Sequence, residues 1–321
     1  MPESFAKDER FSKVELAGGR RMPAMQVTAR PLFGVACVVG AAILWGTTGT
    51  SQALAGGSLS SLWFGALRLL FAAMFFVAFA AVTGALNRFV WQGLTPKIAI
   101  GAGLCMAAYN LTFFAGVKFT GVGIGTAIAL GSGPIWAGLL QAMFQRQPPT
   151  TAWWAGTAFA TAGGALLSLG GGSEAVSPLG VVLCLGSGLS YAVYTLLNKR
   201  MVGQAPASSI TLAAFGVAAL VALPTAALQT GWPSLDLRDL MAVAYTGMVT
   251  AGVGYLLFSF ALHHVRPATA VTLALTEPVV AFMLAVLILD EPVSVAAFIG
   301  LALVVAGVLG VVRAELSNQR R

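Results

Sequence analysis

Charge is scarce in this sequence. Only 9% of its 321 residues are Asp, Glu, Lys or Arg, against roughly 25% in an ordinary soluble domain. So low a share excludes a disordered chain and a water-soluble enzyme. Histidine occurs twice, and cysteine only as Cys37, Cys105 and Cys184. Each cysteine lies in an apolar run, none forms a CxxC pair, and three cannot all pair within one chain. Neither a disulfide framework nor a metal site is expected, and the thiols read as small buried hydrophobes. Catalytic motifs are missing as well. There is no HExxH, no pair of intramembrane aspartates and no nucleophile elbow, so no enzyme is expected. The spacings Gly101-x-Gly103 and Gly121-x-Gly123-x-Gly125 lack the strand-to-helix setting and the Lys-Ser/Thr ending of a nucleotide loop. No cofactor is expected.

What the chain does contain is apolar surface. Hydrophobic residues make up 58% of it, and mean hydropathy is +0.85. A spanning helix needs about 20 apolar residues. Runs of that kind are predicted at 32–54, 59–82, 97–117, 122–143, 152–170, 178–198, 208–229, 238–262, 267–289 and 294–313. The connection Lys118–Gly121 is nearly all apolar and is the least defined boundary. Residues 1–31 are polar and of mixed charge, and are expected to form a disordered cytoplasmic tail. No apolar core precedes residue 31, so a cleaved signal peptide is not expected. Met22 or Met25 is an alternative start. A second short tail is expected at 314–321.

The net charge of +7 is a topology signal. With ten spans and the amino terminus inside, the cytoplasmic side receives the basic residues of the tail. It also receives Arg88, Lys97, Arg146, Lys199, Arg200, Arg266, Arg313, Arg320 and Arg321. Outside connections keep only Lys118 and Arg238, and Arg68 falls within a span. The positive-inside rule therefore favours ten spans with both termini in the cytoplasm of a cell (inner or plasma) membrane protein. Nucleic acid is not an expected partner.

The chain also repeats itself. Gly34, Gly40, Gly101, Tyr109 and Phe114 recur 146 positions on as Gly180, Gly186, Gly247, Tyr255 and Phe260. Trp45 stands opposite Tyr191 at that offset. After a slip to 144, Pro134, Pro148, Gly156 and Gly163 match Pro278, Pro292, Gly300 and Gly307. Two repeats are expected, at 32–170 and 178–313. Five spans per repeat is an odd number, so the second must be inverted relative to the first. Inverted repeats are a signature of secondary transporters, with the site at their interface near mid-membrane.

Several segments carry a family resemblance. They are AAILWGTTGT in the first span, LWFGALRLLFAA in the second, TAIALGSGPIWAGLL in the fourth and TLALTEPVVAFMLAVLILDEPVS in the ninth. Glycine-containing closing spans end in GGALLSL and LVVAGVLG. The chain resembles the EamA-type branch of the drug/metabolite transporter superfamily over about residues 32–313. The resemblance implies ten helices around a central cavity, and transport of amino acids or other metabolites. In one place the chain departs from it. The first repeat reads Gln147-Pro148 where family members often carry an acid, as the second does at Glu291-Pro292.

Candidate site residues follow from cost. Arg68 lies about ten residues into the second span, where an arginine costs roughly 2.5–3.5 kcal/mol on insertion scales. It must face a cavity or a partner, as an anchor for an anionic group or as a tie between helices. Glu277 lies at a similar depth in the ninth span, directly before Pro278. It is the candidate to carry a coupling proton or to pair with Arg68, with a structural, hydrogen-bonded Glu as the plainer reading. Gly131-Ser132-Gly133-Pro134 matches it in the fourth span, so Gly131, Gly133, Pro134 and Pro278 are expected to break their helices. Close helix packing is the other reading of the glycines.

Trp45, Tyr109, Tyr191, Tyr194 and Tyr255 lie well inside spans, with Thr47, Thr48, Gln52, Asn110 and Asn198 near them. Such a mixture suits a cavity for a small amphipathic molecule, although any one aromatic also suits plain bundle packing. His263 and His264 read as an interfacial cap, and Asp290 and Glu291 as a solvated boundary pair. The expected fold is all-α and membrane-integral, with ten helices. The expected function is a secondary exporter, and a channel or a non-transporting scaffold are the other readings. Expected partners are a small-molecule substrate (an amino acid or metabolite) and the lipid bilayer. A second copy in a homodimer is an open option.

Overall fold

The computed structural model describes residues 24–55, 59–86, 94–168, 177–289 and 294–319. Residues 1–23, Arg88, Asp290, Glu291, Pro292, Arg320 and Arg321 lie outside these. The described residues form helices joined by short turns. They are α1 Ala24–Ala55, α2 Ser61–Val82, α3 Pro96–Thr120, α4 Val122–Gln145, α5 Thr151–Ser168, α6 Pro178–Met201 and α7 Ala207–Thr230. There follow α8 Leu237–Ala261, α9 Pro267–Leu289 and α10 Val295–Gln319. Among the described residues, nine of these are long and apolar enough to cross a membrane. The tenth expected span, α5, is an 18-residue helix outside that set.

Local chemistry explains the boundaries. Pro96, Pro178 and Pro267 sit in the first turns of α3, α6 and α9, where a missing N–H costs nothing. Ser60 accepts from the Trp63 amide at the start of α2, and Asp236 from the Asp239 amide at the start of α8. The ill-defined connection before α4 is the single residue Gly121, at φ 77°. Glycine adopts that left-handed conformation at no steric cost.

Both predicted tails are shortened by helix. The first helix starts at Ala24, and Pro31 lies inside it. Nothing from 24 to 30 breaks a helix, and a proline there costs one backbone hydrogen bond. The last helix runs to Gln319 because its buried stripe continues from Val304 and Val311 to Ala314 and Glu315.

The helices pack across the repeats in exchangeable pairs. The contact of α1 with α8 is answered by α6 with α3, that of α1 with α9 by α6 with α4, and that of α2 with α8 by α7 with α3. The contacts of α2 with α7 and of α5 with α10 are their own counterparts. Each repeat thus meets the other through the same set of helices. Glycine permits the tightest pair. A Cβ on Gly163 of α5 would lie 2.5 Å from the Gly300 carbonyl oxygen of α10, and one on Gly307 of α10 2.5 Å from that of Gly156. Without a hydrophobic force between helices in lipid, close backbone approach of this kind supplies the association.

Two helices are irregular. In α8 a π-helix occupies Thr246–Val253, between α-helix Leu237–Tyr245 and α-helix Gly254–Ala261. Nothing in the sequence reading anticipates it. In α9 a 3-10 turn at Ala274–Thr276 separates Pro267–Leu273 from Glu277–Leu289, as the Glu277-Pro278 motif predicts. The matching break predicted at Gly131, Gly133 and Pro134 is not there, and α4 is α-helical throughout. Its glycines serve the packing reading instead. A Cβ on Gly131 would meet Thr161 of α5 at 3.0 Å, and one on Gly133 would meet Val271 of α9 at 3.4 Å.

Candidate functional site

A cavity of about 260 Å³ lies between the repeats, lined from α1, α2, α3, α4, α6, α8 and α9. Trp45, Thr48 and Gln52 enter from α1, Arg68 from α2, Tyr109 and Asn110 from α3, Tyr191 from α6, Tyr255 from α8 and Glu277 from α9. Eight sequence-predicted binding or coupling residues therefore share one space. Tyr194 does not reach it. Its ring stacks on Tyr191 at 6.3 Å, but the side chain is fully buried and its hydroxyl accepts from Asn198 Nδ2 at 3.1 Å. Three residues on along α6 is about 4.5 Å deeper, so a shared face does not mean a shared depth. Gly131, Gly133, Pro134 and Pro278 do not line the cavity either.

Helical register and local space aim the polar groups. Gly254 leaves room for the Trp45 indole, since a Cβ there would lie 2.7 Å from Trp45 Nε1. Gly65 does the same for the Asn110 amide oxygen. Gly247 in the π segment lets α8 close on the backbone of Arg68, with 2.9 Å from a would-be Cβ to the Arg68 carbonyl oxygen. The wide turns leave carbonyls that the hydroxyls of Thr246 and Thr250 take, from Ala242 at 2.7 Å and from Thr246 at 2.6 Å. Thr48 Oγ1 donates to Thr250 Oγ1 at 3.4 Å, joining α1 to the same segment.

The aromatic groups form one end of the cavity. Trp45 lies 4.8 Å from Tyr255 and 6.4 Å from Tyr191, and Tyr109 lies 5.3 Å from Tyr191. Behind them Phe258, Tyr194, Asn198 and Ser259 are wholly buried. Ser259 donates to Asn198 Oδ1 at 3.1 Å, which completes a satisfied polar knot under the aromatic layer. The other end carries Gln52 and the exposed Val122 at the start of α4, so the cavity reaches the surface there. The space is open toward one end of the bundle and shut toward the other.

Two charges of opposite sign face the cavity. Arg68 and Glu277 act on each other through space, and both act on Tyr109 and Tyr255. Among the described residues they form no direct ion pair, so of the two readings of Glu277 the one that pairs it with Arg68 takes the form of a through-space interaction. Trp45 Nε1, Arg68 Nε, Asn110 Oδ1 and Tyr191 OH are enclosed in the packing behind the cavity wall and have no hydrogen-bond partner among the described residues. A buried polar group left unsatisfied costs about 1–3 kcal/mol.

Sequence reasoning missed the apolar wall. Phe114, Leu130, Val271, Leu275 and Ala281 line the cavity, and an apolar residue facing a cavity has the same sequence signature as one facing a neighbouring helix. Phe113 was not missed: helical spacing puts it on the face of Tyr109, and it lines the cavity and stacks on that ring at 6.3 Å. Among the described residues no cluster of His, Cys, Asp and Glu could hold a metal ion.

Known proteins resemble this one in sequence and in fold. The model of the EamA-like transporter family matches residues 32–169 and 178–313. YwfM of Bacillus subtilis (strain 168), an uncharacterized transporter, is 37% identical over 272 residues, covering 84% of this chain and 90% of the relative. The threonine/homoserine exporter RhtA of Escherichia coli (strain K12) is 26% identical over 229 residues, covering 70% and 72%. A probable terminal-alkyne amino-acid exporter of Streptantibioticus cattleyicolor is 24% identical over 226 residues, covering 70% and 75%. A crystal structure superposes with a TM-score of 0.73 at 17% identity, covering 88% of this chain and 97% of that one.

Proposed function

The chain belongs to the EamA-like transporter family, and on that premise we propose that it is a secondary exporter of amino acids or related small metabolites. The observation that carries this reading is a cavity between the repeats that draws its lining from two opposite charges, Arg68 and Glu277, together with Thr48, Asn110 and a set of aromatic rings. The Arg68 guanidinium suits a carboxylate, and arginine favours such planar anions. The Glu277 carboxylate suits an ammonium group. The aromatic end and the apolar wall suit a side chain. A zwitterion with a modest apolar portion fits this combination. Relatives named as exporters of threonine and homoserine or of an alkyne amino acid agree with that chemistry.

The mechanism that fits is alternating access. The cavity opens at one end, so export needs a second arrangement open at the other. Ten spans with both termini in the cytoplasm accord with the distribution of basic residues, and inverted repeats accord with the exchangeable contacts of the two halves. Glu277 takes a proton when the substrate ammonium leaves, which keeps an isolated carboxylate from standing charged in the membrane. Arg68 holds the carboxylate end throughout.

Counterflow in proteoliposomes tests the reading. Vesicles loaded with unlabelled L-threonine should take up labelled L-threonine, saturably, and Arg68→Gln and Glu277→Gln should each reduce the rate at least about tenfold, a loss of about 1.4 kcal/mol. Flux that does not saturate, or no counterflow with any amino acid by well-inserted protein, would end the proposal.

A further inference from the structure

Glu315 is the most unexpected charge in the molecule. It stands in AELSNQRR, a segment that reads as a solvated tail, yet it is 3% exposed. A carboxylate is buried only where other groups compensate for lost water. Thr269 Oγ1 of α9 donates to Glu315 Oε2 at 2.6 Å. Thr269 is in the first turn of α9, where the helix dipole favours a negative charge. Lys199 of α6 lies within electrostatic range.

The same short stretch of α9 is gripped from the first repeat. Gln141 of α4, 1% exposed, accepts from the Ala268 amide at 3.2 Å and donates to the Gln147 carbonyl at 3.0 Å. Thr157 of α5 and Thr272 of α9 share a hydrogen bond of 3.2 Å. Gln141, Trp153, Thr269 and Glu315 border a void of about 10 Å³, hardly the space of one water, so the cluster holds helices together and does not house a ligand. All seven residues of Pro267–Leu273 are buried, whereas in Glu277–Leu289 Pro278 is the buried one. The 3-10 turn divides a half of α9 that is buried along its whole length from a half-buried one, and Glu277 sits at the division.

The location is informative. Val122, at the mouth of the cavity, and Gln141, in the cluster, lie on the same helix about 28 Å apart at 1.5 Å per residue. The cluster is therefore at the shut end. We infer that Glu315, by holding Thr269 and with it the first turn of α9, is the positioning residue for the bonds that latch the closed end of the transporter across the repeats, from the Ala268 amide to Gln141 of α4 and from Thr272 to Thr157 of α5. The inference rests on the alternating-access reading above. Opening the shut end must part these helices, so breaking the latch shifts the population away from the arrangement seen here.

Cysteine accessibility reads this directly. In a background with Cys37, Cys105 and Cys184 replaced by alanine, Ala281→Cys places a thiol in the cavity wall. A membrane-impermeant maleimide is applied to right-side-out and to inside-out vesicles. The parent should label from the mouth side alone. Thr269→Val and Glu315→Ala should lower labelling from that side at least about threefold and raise it from the opposite side, while Thr269→Ser, which keeps the hydroxyl, should label like the parent. Monodisperse elution in detergent distinguishes a shifted population from a misfolded one, and Thr269→Val is the milder variant should Glu315→Ala not fold. Unchanged labelling in folded Thr269→Val overturns the latch and leaves alternating access standing. Equal labelling of the parent from both sides overturns the latch as well, since the end it is said to hold shut is then open as often as the mouth, and leaves alternating access to the counterflow measurement.

Discussion

Pro134 in α4 and Pro278 in α9 occupy matched positions of the two repeats. Even so, α4 is α-helical from Val122 to Gln145, and α9 tightens to a 3-10 turn at Ala274–Thr276 just before its proline. The difference lies in what precedes each proline. Ser132 and Gly133 are small enough for α4 to lie against α6, where a Cβ on Gly188 would come within 2.7 Å of the Ala129 carbonyl oxygen. At Pro278 the neighbour is as close, since a Cβ on Gly46 of α1 would lie 2.9 Å from the Glu277 carbonyl oxygen, but the residue directly before the proline is Glu277, which lines the cavity, and the Thr276 hydroxyl takes the Leu273 carbonyl at 2.9 Å. The helices α3 and α8 differ in the same sense, since α3 is regular and α8 carries the π segment. Both irregularities fall in the second repeat, and each ends within two residues of a cavity group, Tyr255 or Glu277. Such local departures from the α-helix often mark function. One repeat supplies a regular wall, and the other supplies the adjustable parts.

The comparison can be broken at the prolines first. Pro278→Ala should reduce amino-acid counterflow at least about tenfold by letting α9 run on as α-helix, whereas Pro134→Ala should stay within about twofold of the parent. Equal losses would mean that the two helices work alike. The matched glycines give the next contrast. Gly247→Ala meets the Arg68 carbonyl oxygen at 2.9 Å, while Gly101→Ala meets only Leu197 at 3.5 Å. Melting in detergent should report a destabilisation of about 1–3 kcal/mol for the first and little for the second. The smallest effect belongs to Gly186. A Cβ there meets nothing within 4 Å, so Gly186→Ala should raise stability by up to about 1 kcal/mol through the unfolded chain. A loss at Gly186 would show that space, rather than backbone freedom, is what that position keeps.

Much of the site was legible because charge and polarity are costly in a membrane. Arg68, Glu277 and Asn110 have few places to go in an apolar bundle, and they converge. Tyr194 was misjudged because a helical period reports direction and says nothing of depth. The irregular turn of α9 falls just before Glu277-Pro278, but the same inference failed for α4, which stays α-helical through Gly133-Pro134. The π segment left no mark in TGMVTAGV, since one extra residue in a wide turn depends on how α1 and α2 pack against it. Glu315 was read as tail because its neighbours are polar. Only the fold brings Thr269 and Gln141 to it.

The cavity also bears on thermodynamics. Its lining comes from seven helices, so it exists only in the folded chain. A molecule that fills it binds the folded state alone, and mass action then raises the melting temperature with concentration. At a hundred times the dissociation constant the gain is about 2.7 kcal/mol. Heating the purified protein with one candidate metabolite at a time thus ranks substrates before any flux is measured, and the ranking should disappear in Arg68→Gln.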